Sequence, residues 1–416
     1  MVVRFLRSVF ARILPVQPFS SSDRAIAGLM WVVGMVQGYV QAQAFATLPF
    51  TRVALGLTAG EMSLVMAFTR VASFGALVFS LWGDRSGRKR PFLGAYLMLV
   101  LAGTATAGVG SAWEFATAQA AVRLATAAVT SLGIVLIAEQ ISPAVRAYGI
   151  SVYGAAGSVG AGLALAALPL AEMGPNGWRL PFALGLVGLA AIPFLRRRLG
   201  ESAVFAGEAE HPGAPIRELL RGRFAGRFRT AATIGFLAAA FFSVGLAFAT
   251  ERLVNDLGLG TGTAVAISLA GGIIGGVGFF AGGWMADKWG RRLTTVVALL
   301  AAVAGAMGLY WLSEPWQLAV SVVVSSFGSF AFVPAGGAHR AELFPTAVRA
   351  TAQTAATILA MLGSTVGLLV GTVTIDTIGL SETVTGLGLG AVLAAALTLR
   401  LPETRGQNLE AVDPDQ

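Results

Sequence analysis

The residues best suited to form ion pairs in this chain recur at one spacing. An aspartate, a glutamate and an arginine each reappear 203 residues later in similar local sequences. The pairs are Asp84 and Asp287, Glu139 and Glu342, and Arg146 and Arg349. A carboxylate can cap a helix N-terminus, and basic side chains can form charge-assisted hydrogen bonds with carboxylates. The spacing predicts two repeated halves, each with a small ion-pair cluster at one helix end.

A second set of polar residues lies inside long apolar stretches. Arg70 and Arg123 stand in such stretches, and an intramembrane arginine costs about 2.5 kcal/mol or more unless it faces a cavity or a partner. Gln37 and Gln41 are one helical turn apart, and amides can bind hydroxyls or carboxylates without titrating. Pairing with carbonyls or amides of the protein itself is the alternative. The candidate solute-binding residues are Gln37, Gln41, Arg70, Arg123, Ser326 and Gln353.

The composition leaves little room for enzyme chemistry. The chain has no Cys and only two His, which excludes thiolate catalysis and makes a metal site improbable on chemical grounds. No convergent set of nucleophile, acid–base or metal-ligating residues is found in the sequence, and no phosphate-binding Gly-x-x-x-x-Gly-Lys loop occurs. We therefore expect no catalytic residues, no metal and no cofactor. Any energy coupling is expected to use a gradient.

Apolar residues dominate the 416-residue chain. Hydrophobic residues make up 56%, charged residues only 12%, and 53 positions are Gly. Soluble domains carry about 25% charged residues. The chain is therefore predicted to be a polytopic membrane protein, and a soluble enzyme, a disordered chain or a nucleic-acid-binding domain is disfavoured.

The apolar stretches predict twelve membrane-spanning helices, since a span needs roughly 17–25 mostly apolar residues. They cover 26–48, 61–82, 92–110, 114–138, 148–170, 179–195, 229–250, 262–285, 293–312, 316–338, 350–373 and 383–400. The predicted segments are an N-terminal segment 1–25, a six-helix half 26–195, a central loop 196–228, a second half 229–400 and a tail 401–416. The N-terminal segment has the pattern of a basic amphipathic helix on the cytoplasmic leaflet, with a disordered basic tail as the alternative.

The distribution of Lys and Arg predicts the orientation. With both termini in the cytoplasm, 24 of the 29 basic residues fall on the cytoplasmic side. Only Arg52, Arg179 and Arg252 fall on the outer side, and two more lie within spans. This asymmetry follows the positive-inside rule, so the net charge of +8 reflects membrane topology rather than affinity for nucleic acid.

Several motifs resemble those of the major facilitator superfamily. The stretch GWMADKWGRR, from Gly283 to Arg292, is similar to the motif between helices 8 and 9, and GDRSGRKR at 83–90 to its first copy. LPETRG at 401–406 resembles the terminal signature of sugar porters. GWRLPFALG at 177–185 is similar to metabolite:proton symporters and organic-ion transporters. The resemblance implies an all-α membrane protein with twelve transmembrane helices in two parallel six-helix repeats, and a substrate site between them.

The same resemblance implies a cytoplasmic latch that is closed in the outward-facing state. Its residues would be Asp84, Arg85, Arg88, Glu139, Asp287, Arg291 and Glu342. A purely structural role in fold and topology is the alternative.

Together these features predict a secondary active transporter in the cell membrane, as a multi-pass protein of the bacterial inner membrane. The two intramembrane arginines favour a small organic anion such as a carboxylate as substrate. A sugar transporter, a drug or metabolite exporter and a membrane sensor are the alternatives. We expect a monomer in the lipid bilayer, with the proton as candidate coupling ion, although helix 1 lacks a carboxylate to carry it.

Overall fold

A computed structural model describes most of the chain, namely residues 20–76, 78–79, 82, 87–142, 146–200, 221–344 and 346–405. It excludes the side chains of 138, 139, 146–148, 151, 341 and 346–351. Asp84, Arg85 and the side chain of Glu139 therefore lie outside the described residues. The same holds for most of the predicted N-terminal segment, for 201–220 of the central loop and for 406–416 of the tail.

Regular structure in these ranges is entirely helical. The α-helices are α1 (Ser21–Ala46), α2 (Leu48–Ala54), α3 (Ala59–Val71), α4 (Lys89–Ala105), α5 (Ala112–Gln140), α6 (Arg146–Ala166), α7 (Arg179–Leu184), α8 (Ile192–Arg198), α9 (Ala225–Ala247), α10 (Ala249–Glu251), α11 (Thr261–Gly275), α12 (Val277–Trp289), α13 (Arg291–Trp311), α14 (Pro315–Glu342), α15 (Thr346–Ile378) and α16 (Leu380–Thr398). A π-helix, Arg252–Asp256, extends α10, and 3₁₀ turns connect several of the others.

Eleven helical segments within the described ranges are long and apolar enough to cross a membrane. Each overlaps one of the predicted spans. The twelfth prediction, 61–82, coincides with α3, which ends at Val71 and continues as the 3₁₀ turn Ala72–Gly75. Beyond that turn, positions 77, 80 and 81 of the predicted span lie outside the described residues.

Two glycines allow the chain to reverse between long helices. Gly290 separates α12 from α13 with a φ of 107°, and Gly379 separates α15 from α16 with a φ of 103°. Residues with a Cβ rarely adopt this left-handed region, so glycine is favoured at both turns.

The described chain groups into two compact units. The first comprises Met1–Ala44 and Ala72–Ala209. Its core is apolar and includes Phe92, Tyr96 and Leu99 of α4, all fully buried. α1 and α6 approach with their backbones in contact, because a Cβ on Gly38 would stand only 1.9 Å from the carbonyl oxygen of Gly157. Small residues permit such close helix packing in membranes.

The second unit comprises Phe45–Val71 and Glu210–Gln416. Its long helices also meet at glycines. A Cβ on Gly305 of α13 would lie 2.2 Å from the backbone nitrogen of Ser325 in α14, and one on Gly363 of α15 would lie 2.2 Å from the carbonyl oxygen of Phe236 in α9. Small residues permit close packing of these helices as well.

Residues 45–71 precede most of the first half in sequence, yet α2 and α3 group with the second unit. The Ser63 hydroxyl of α3 donates to the carbonyl oxygen of Leu368 in α15 at 2.6 Å. This placement brings Arg52 and Arg70 into the second unit, where they meet elements that are far away in the sequence.

Candidate functional site

A buried polar network in the first unit surrounds Gln37, one of the predicted solute-binding residues. The Gln37 side-chain amide of α1 donates to the Thr130 hydroxyl of α5 at 2.6 Å, and the Tyr153 hydroxyl of α6 donates to the Gln37 Oε1 atom. Gln37 is 9% exposed. Both ends of its amide are thus satisfied, as buried polar groups require, and the network joins three helices.

Arg123 lies on the same face of α5 as this network. It precedes Thr130 by seven residues, and residues seven apart lie close to one line along a helix. The two positions are separated by about 10.5 Å along the axis at 1.5 Å per residue. The guanidinium of Arg123 is half-buried. The first unit therefore places a cation and an amide–phenol network on one stripe of α5.

The other polar residues near Gln37 divide into two groups. The Tyr39 hydroxyl and the Gln43 amide both donate to the carbonyl oxygen of Pro181, at 2.8 Å and 2.6 Å. They attach α1 to α7. Gln41 is half-buried, and its amide makes no hydrogen bond with the part of the chain that the structure describes. Within the described residues the Gln41 amide therefore remains available to bind a solute.

Arg70 belongs to the second unit, whereas Arg123 belongs to the first. Arg70 stands in the last turn of α3, where it is half-buried. Its guanidinium has no hydrogen bond or ion pair among the described residues. A partly buried cation of this kind is expected to face water or an anion.

The two remaining predicted binding residues have different surroundings. Ser326 of α14 packs against the glycines of α11, since a Cβ on Gly275 would lie 2.4 Å from the Ser326 Cβ atom and one on Gly271 would lie 3.0 Å from its Oγ atom. Its side chain therefore takes part in helix packing. Gln353 of α15 is half-buried. Its backbone carbonyl oxygen accepts a hydrogen bond from the Thr357 hydroxyl at 2.9 Å.

The second copy of the predicted latch forms a compact cluster at the end of α12, α13 and α14. Arg291 bonds to Asp287 through Nη1, and its Nε atom donates to both carboxylate oxygens of Glu342 at 3.2 Å. The Thr404 hydroxyl donates to Glu342 at 2.6 Å. We call Asp287, Arg291, Glu342, Glu403 and Thr404 the basal cluster. In the first copy, Arg88 is described and half-buried, but its predicted partners are not described.

Glu403 is a member of the basal cluster that the sequence did not single out. Its carboxylate accepts hydrogen bonds from the backbone N–H groups of Arg291 at 2.7 Å and Arg292 at 3.1 Å. Burial disfavours its charge, but the N–H groups of Arg291, Arg405 and Arg292 outweigh burial and hold the pKa of Glu403 below its ordinary value. It caps α13, whose first turn has no acidic residue of its own. The absence of an acidic residue from the first turn of α13 is the sequence signal that could have indicated a cap supplied by another segment.

A second charged cluster that sequence reasoning missed lies at the predicted outer end of the second unit. Arg52 of α2 pairs with Glu251 of α10 through two hydrogen bonds, at 2.9 Å and 2.5 Å. The Asn255 amide donates to the same carboxylate oxygen at 2.9 Å. We call Arg52, Glu251 and Asn255 the outer cluster. Glu251 follows an apolar run directly, which is the only sequence signal of its burial.

Near the outer cluster, Asp376 of α15 caps the start of α3. Its carboxylate accepts from the Thr58 hydroxyl at 2.5 Å and from the Gly60 N–H at 3.0 Å. Thr58 and Glu61 also exchange hydrogen bonds, forming a capping box. α3 is therefore held at its N-terminus by a residue more than 300 positions away.

A small cavity in the second unit lies between α9, α13, α14 and α16, with His339 and Arg340 in its lining. Its volume of about 20 Å³ has room for roughly one water molecule. It is too small for an organic solute. No group of three or more metal-ligating side chains occurs within the ranges that the structure describes.

Comparison with known proteins gives concordant matches. A family model described as "Major Facilitator Superfamily" matches residues 30–323. A 3-(3-hydroxy-phenyl)propionate transporter of Escherichia coli K12 is 34% identical over 213 residues, which are 49% of this chain and 50% of that protein. A gallate transporter of Pseudomonas putida is 26% identical over 421 residues, covering 92% of each chain.

The fold also matches solved transporter structures. The crystal structure of a D-xylose-proton symporter superposes with a TM-score of 0.76 and covers 93% of this chain and 100% of that one, at 19% identity. At this identity the likeness is one of fold. The helical architecture described above is thus that of known membrane transporters.

Proposed function

The chain belongs to the Major Facilitator Superfamily, and on that premise we propose that it carries a hydroxylated aromatic carboxylate across the bacterial inner membrane by alternating access. Its relatives are transporters rather than enzymes, and it is a multi-pass membrane protein. The proposal includes a complete set of twelve spans, cytoplasmic termini and a monomeric protein.

The proposal depends on the position of Arg123 on α5. Arg123 shares one face of that helix with Thr130, and Thr130 accepts a hydrogen bond from Gln37. An arginine fork binds a carboxylate through two parallel hydrogen bonds. The Gln37 amide and the Tyr153 hydroxyl already bond within the network, so in this proposal a hydroxyl of the solute meets Gln41, one turn along α1, whose amide makes no hydrogen bond within the described residues. An acid with a ring hydroxyl away from its carboxylate has groups for both. A gallate or a hydroxyphenylpropionate has this pattern.

Three further positions, one arginine and two amides, support a site for an anion. Arg70 has no hydrogen bond or ion pair within the described ranges, and the Gln41 and Gln353 side chains are half-buried and polar. In the proposal these residues line the path of the solute. Ser326 packs between α14 and α11, and its place in the lining of the solute path stays a prediction.

The basal cluster is proposed to act as the cytoplasmic latch. Arg291 joins α12 to α14 through Asp287 and Glu342, so one guanidinium orders the ends of three helices. We infer that Asp84, Arg85, Arg88 and Glu139 perform the corresponding role in the first half. A few such charge-assisted bonds, worth about 1.5–3 kcal/mol each, can bias which side of the protein is closed.

The test is uptake by purified protein in liposomes. Counterflow of radiolabelled gallate and 3-(3-hydroxyphenyl)propionate should exceed that of D-xylose and of a cationic dye under the same conditions. Protein-free liposomes and heat-denatured protein serve as controls. Transport of xylose or the dye without transport of either acid would contradict the proposal and favour the sugar or drug alternative.

A further inference from the structure

The outer cluster contains a carboxylate that is almost completely inside the protein. Glu251 has a side chain that is 2% exposed, whereas that of its partner Arg52 is 21% exposed. One oxygen, Oε1, accepts three hydrogen bonds, two from Arg52 and one from Asn255. Glu251 therefore depends on a single cation that reaches it from another helix.

The other oxygen of Glu251 is in a different situation. Oε2 is buried and has no hydrogen-bond partner among the residues that the structure describes. Buried polar atoms of native proteins almost always have a partner, and the exceptions call for a functional explanation. An unpaired carboxylate oxygen beside a bonded one is a site where a proton can add without displacing an existing bond.

The charged groups around Glu251 come from two elements. Arg52 stands on α2, where its Nη1 atom also donates to the carbonyl oxygen of Leu57 at 3.0 Å. Arg252 and Asp256 follow Glu251 on the π-helix and approach each other to 3.7 Å. Asp256 and Glu251 repel each other electrostatically, whereas Arg52 attracts both. Arg52 is thus the cation whose removal would leave excess negative charge at this end of the unit.

Arg52 lies on a segment whose grouping in the fold differs from its place in the sequence. Residues 45–71 come from the first half of the sequence but pack with the second unit. For Glu251 to act in the transport cycle, α2 has to move away from α10 once in each cycle. When Arg52 withdraws, Glu251 stays on α10 and loses its counter-ion. A buried unpaired charge is strongly unfavourable, and the group takes up a proton instead.

We propose that Glu251 is the site that binds the coupling proton of transport. The proposal rests on the transport function proposed above and adds to it the coupling residue. A proton from water on the predicted outer side adds to Glu251 when Arg52 has moved away. When the outer side closes, Arg52 returns to Glu251, and the displaced proton leaves along the solute path to cytoplasmic water. One proton moving with one carboxylate makes the cycle electroneutral.

The experiment compares two assays on the same proteoliposomes. Accumulation driven by a pH gradient needs net proton movement, whereas counterflow at equal pH does not. Glu251→Gln keeps a hydrogen-bond acceptor for Arg52 but cannot exchange a proton. We expect gradient-driven accumulation of the aromatic acid probe to fall by about tenfold, a size typical of coupling between two binding events, with a markedly smaller fall in counterflow. Glu172→Gln, at an exposed carboxylate, is the matched control and should behave as the wild type.

A second variant covers the case in which Glu251→Gln fails to fold. The double variant Arg52→Gln with Glu251→Gln replaces the ion pair by two neutral amides and should show the same loss of gradient-driven accumulation. Proton uptake, reported by a pH-sensitive dye inside the liposomes, should disappear in parallel. Accumulation above equilibrium by either folded variant would overturn the assignment, as would a wild type that transports without any pH-driven accumulation. Absence of counterflow by the wild type would instead refute the transport function itself.

Discussion

Glu403 lies against the first turn of α13, with its carboxylate 2.7 Å from the backbone nitrogen of Arg291. The two residues are 112 positions apart, and the contact joins the start of α13 to the chain that follows α16. The side chain of Arg291 at the same time holds Asp287 and Glu342. Glu403 and Thr404 of the LPETRG motif are therefore a structural part of the basal cluster.

Removal of the Glu403 charge should destabilise the protein. Glu403→Gln weakens a helix cap, and such caps contribute about 1 kcal/mol. Because the pKa of Glu403 is lowered in the folded state, its contribution is present above the unfolded pKa of about 4.3 and is lost as the pH falls through the folded value. The difference in melting temperature between wild type and Glu403→Gln should thus be present at pH 7 and shrink below about pH 4.3.

Thermal unfolding in detergent at a series of pH values measures this effect. Glu314→Gln is the control, because Glu314 precedes α14 but makes no side-chain cap. An equal loss of stability in both variants, or a difference that persists in acid, would refute the capping role.

Substitution of the latch arginine should slow transport without unfolding the protein. In Arg291→Lys the charge remains, but a lysine cannot span Asp287 and Glu342 with a planar fork. We expect a transport rate several-fold lower and a larger population accessible from the cytoplasm. Arg400→Lys, at an exposed arginine, serves as control. Wild-type rate and accessibility in Arg291→Lys would argue against a latch in the second half, and the same measurements on Asp84→Asn test the first half.

The affinity for an aromatic acid should depend on Arg123 and Gln37. Arg123→Lys is expected to raise the Kd of the acid by about tenfold, which corresponds to 1.4 kcal/mol. Gln37→Ala should weaken binding by about 1 kcal/mol, since it removes the hydrogen bonds to Thr130 and Tyr153 that hold α1 against α5 and α6 beside Arg123.

Calorimetric titration of the purified protein with gallate measures both effects. Arg197→Lys, at an exposed arginine, should bind as the wild type. An unchanged Kd in Arg123→Lys would remove this arginine from the anion site.

The orientation can be tested by labelling, because the chain contains no Cys. His211→Cys places a single thiol in the predicted central loop, and Glu172→Cys places one in a predicted outer loop. A membrane-impermeant maleimide added to intact cells should label the second and leave the first unlabelled until the cells are opened. The reverse pattern would show that the predicted orientation is inverted.

Several features of the fold and the site could be predicted from local patterns. Apolar runs of sufficient length identified the eleven candidate spans, because a span is a property of about 20 consecutive residues. The 203-residue offset located Asp287, Arg291 and Glu342, which the structure brings within hydrogen-bonding distance. Gln37 was predicted to bind the solute; its contacts are with Thr130 and Tyr153, and its role in binding stays a prediction.

Other relationships depended on the path of the chain. Ser326 was selected as a polar lining residue, but only the packing of α14 on α11 shows it against Gly271 and Gly275. Glu251, near the end of an apolar run, is not among the residues singled out from the sequence. Its side chain is almost completely buried and pairs with Arg52, which is 199 residues earlier in the chain.

The sequence by itself determined the class of protein, the 203-residue repeat and the positions of charged residues inside the apolar stretches. These follow from composition, periodicity and spacing, which are properties of the unfolded chain as well. The tertiary structure alone decided which charges meet. Arg52 with Glu251, Glu403 with the N-terminus of α13, and Asp376 with α3 are contacts between distant segments. A pairing of that kind depends on helix packing, where glycines set the distance between backbones, and no local pattern encodes it.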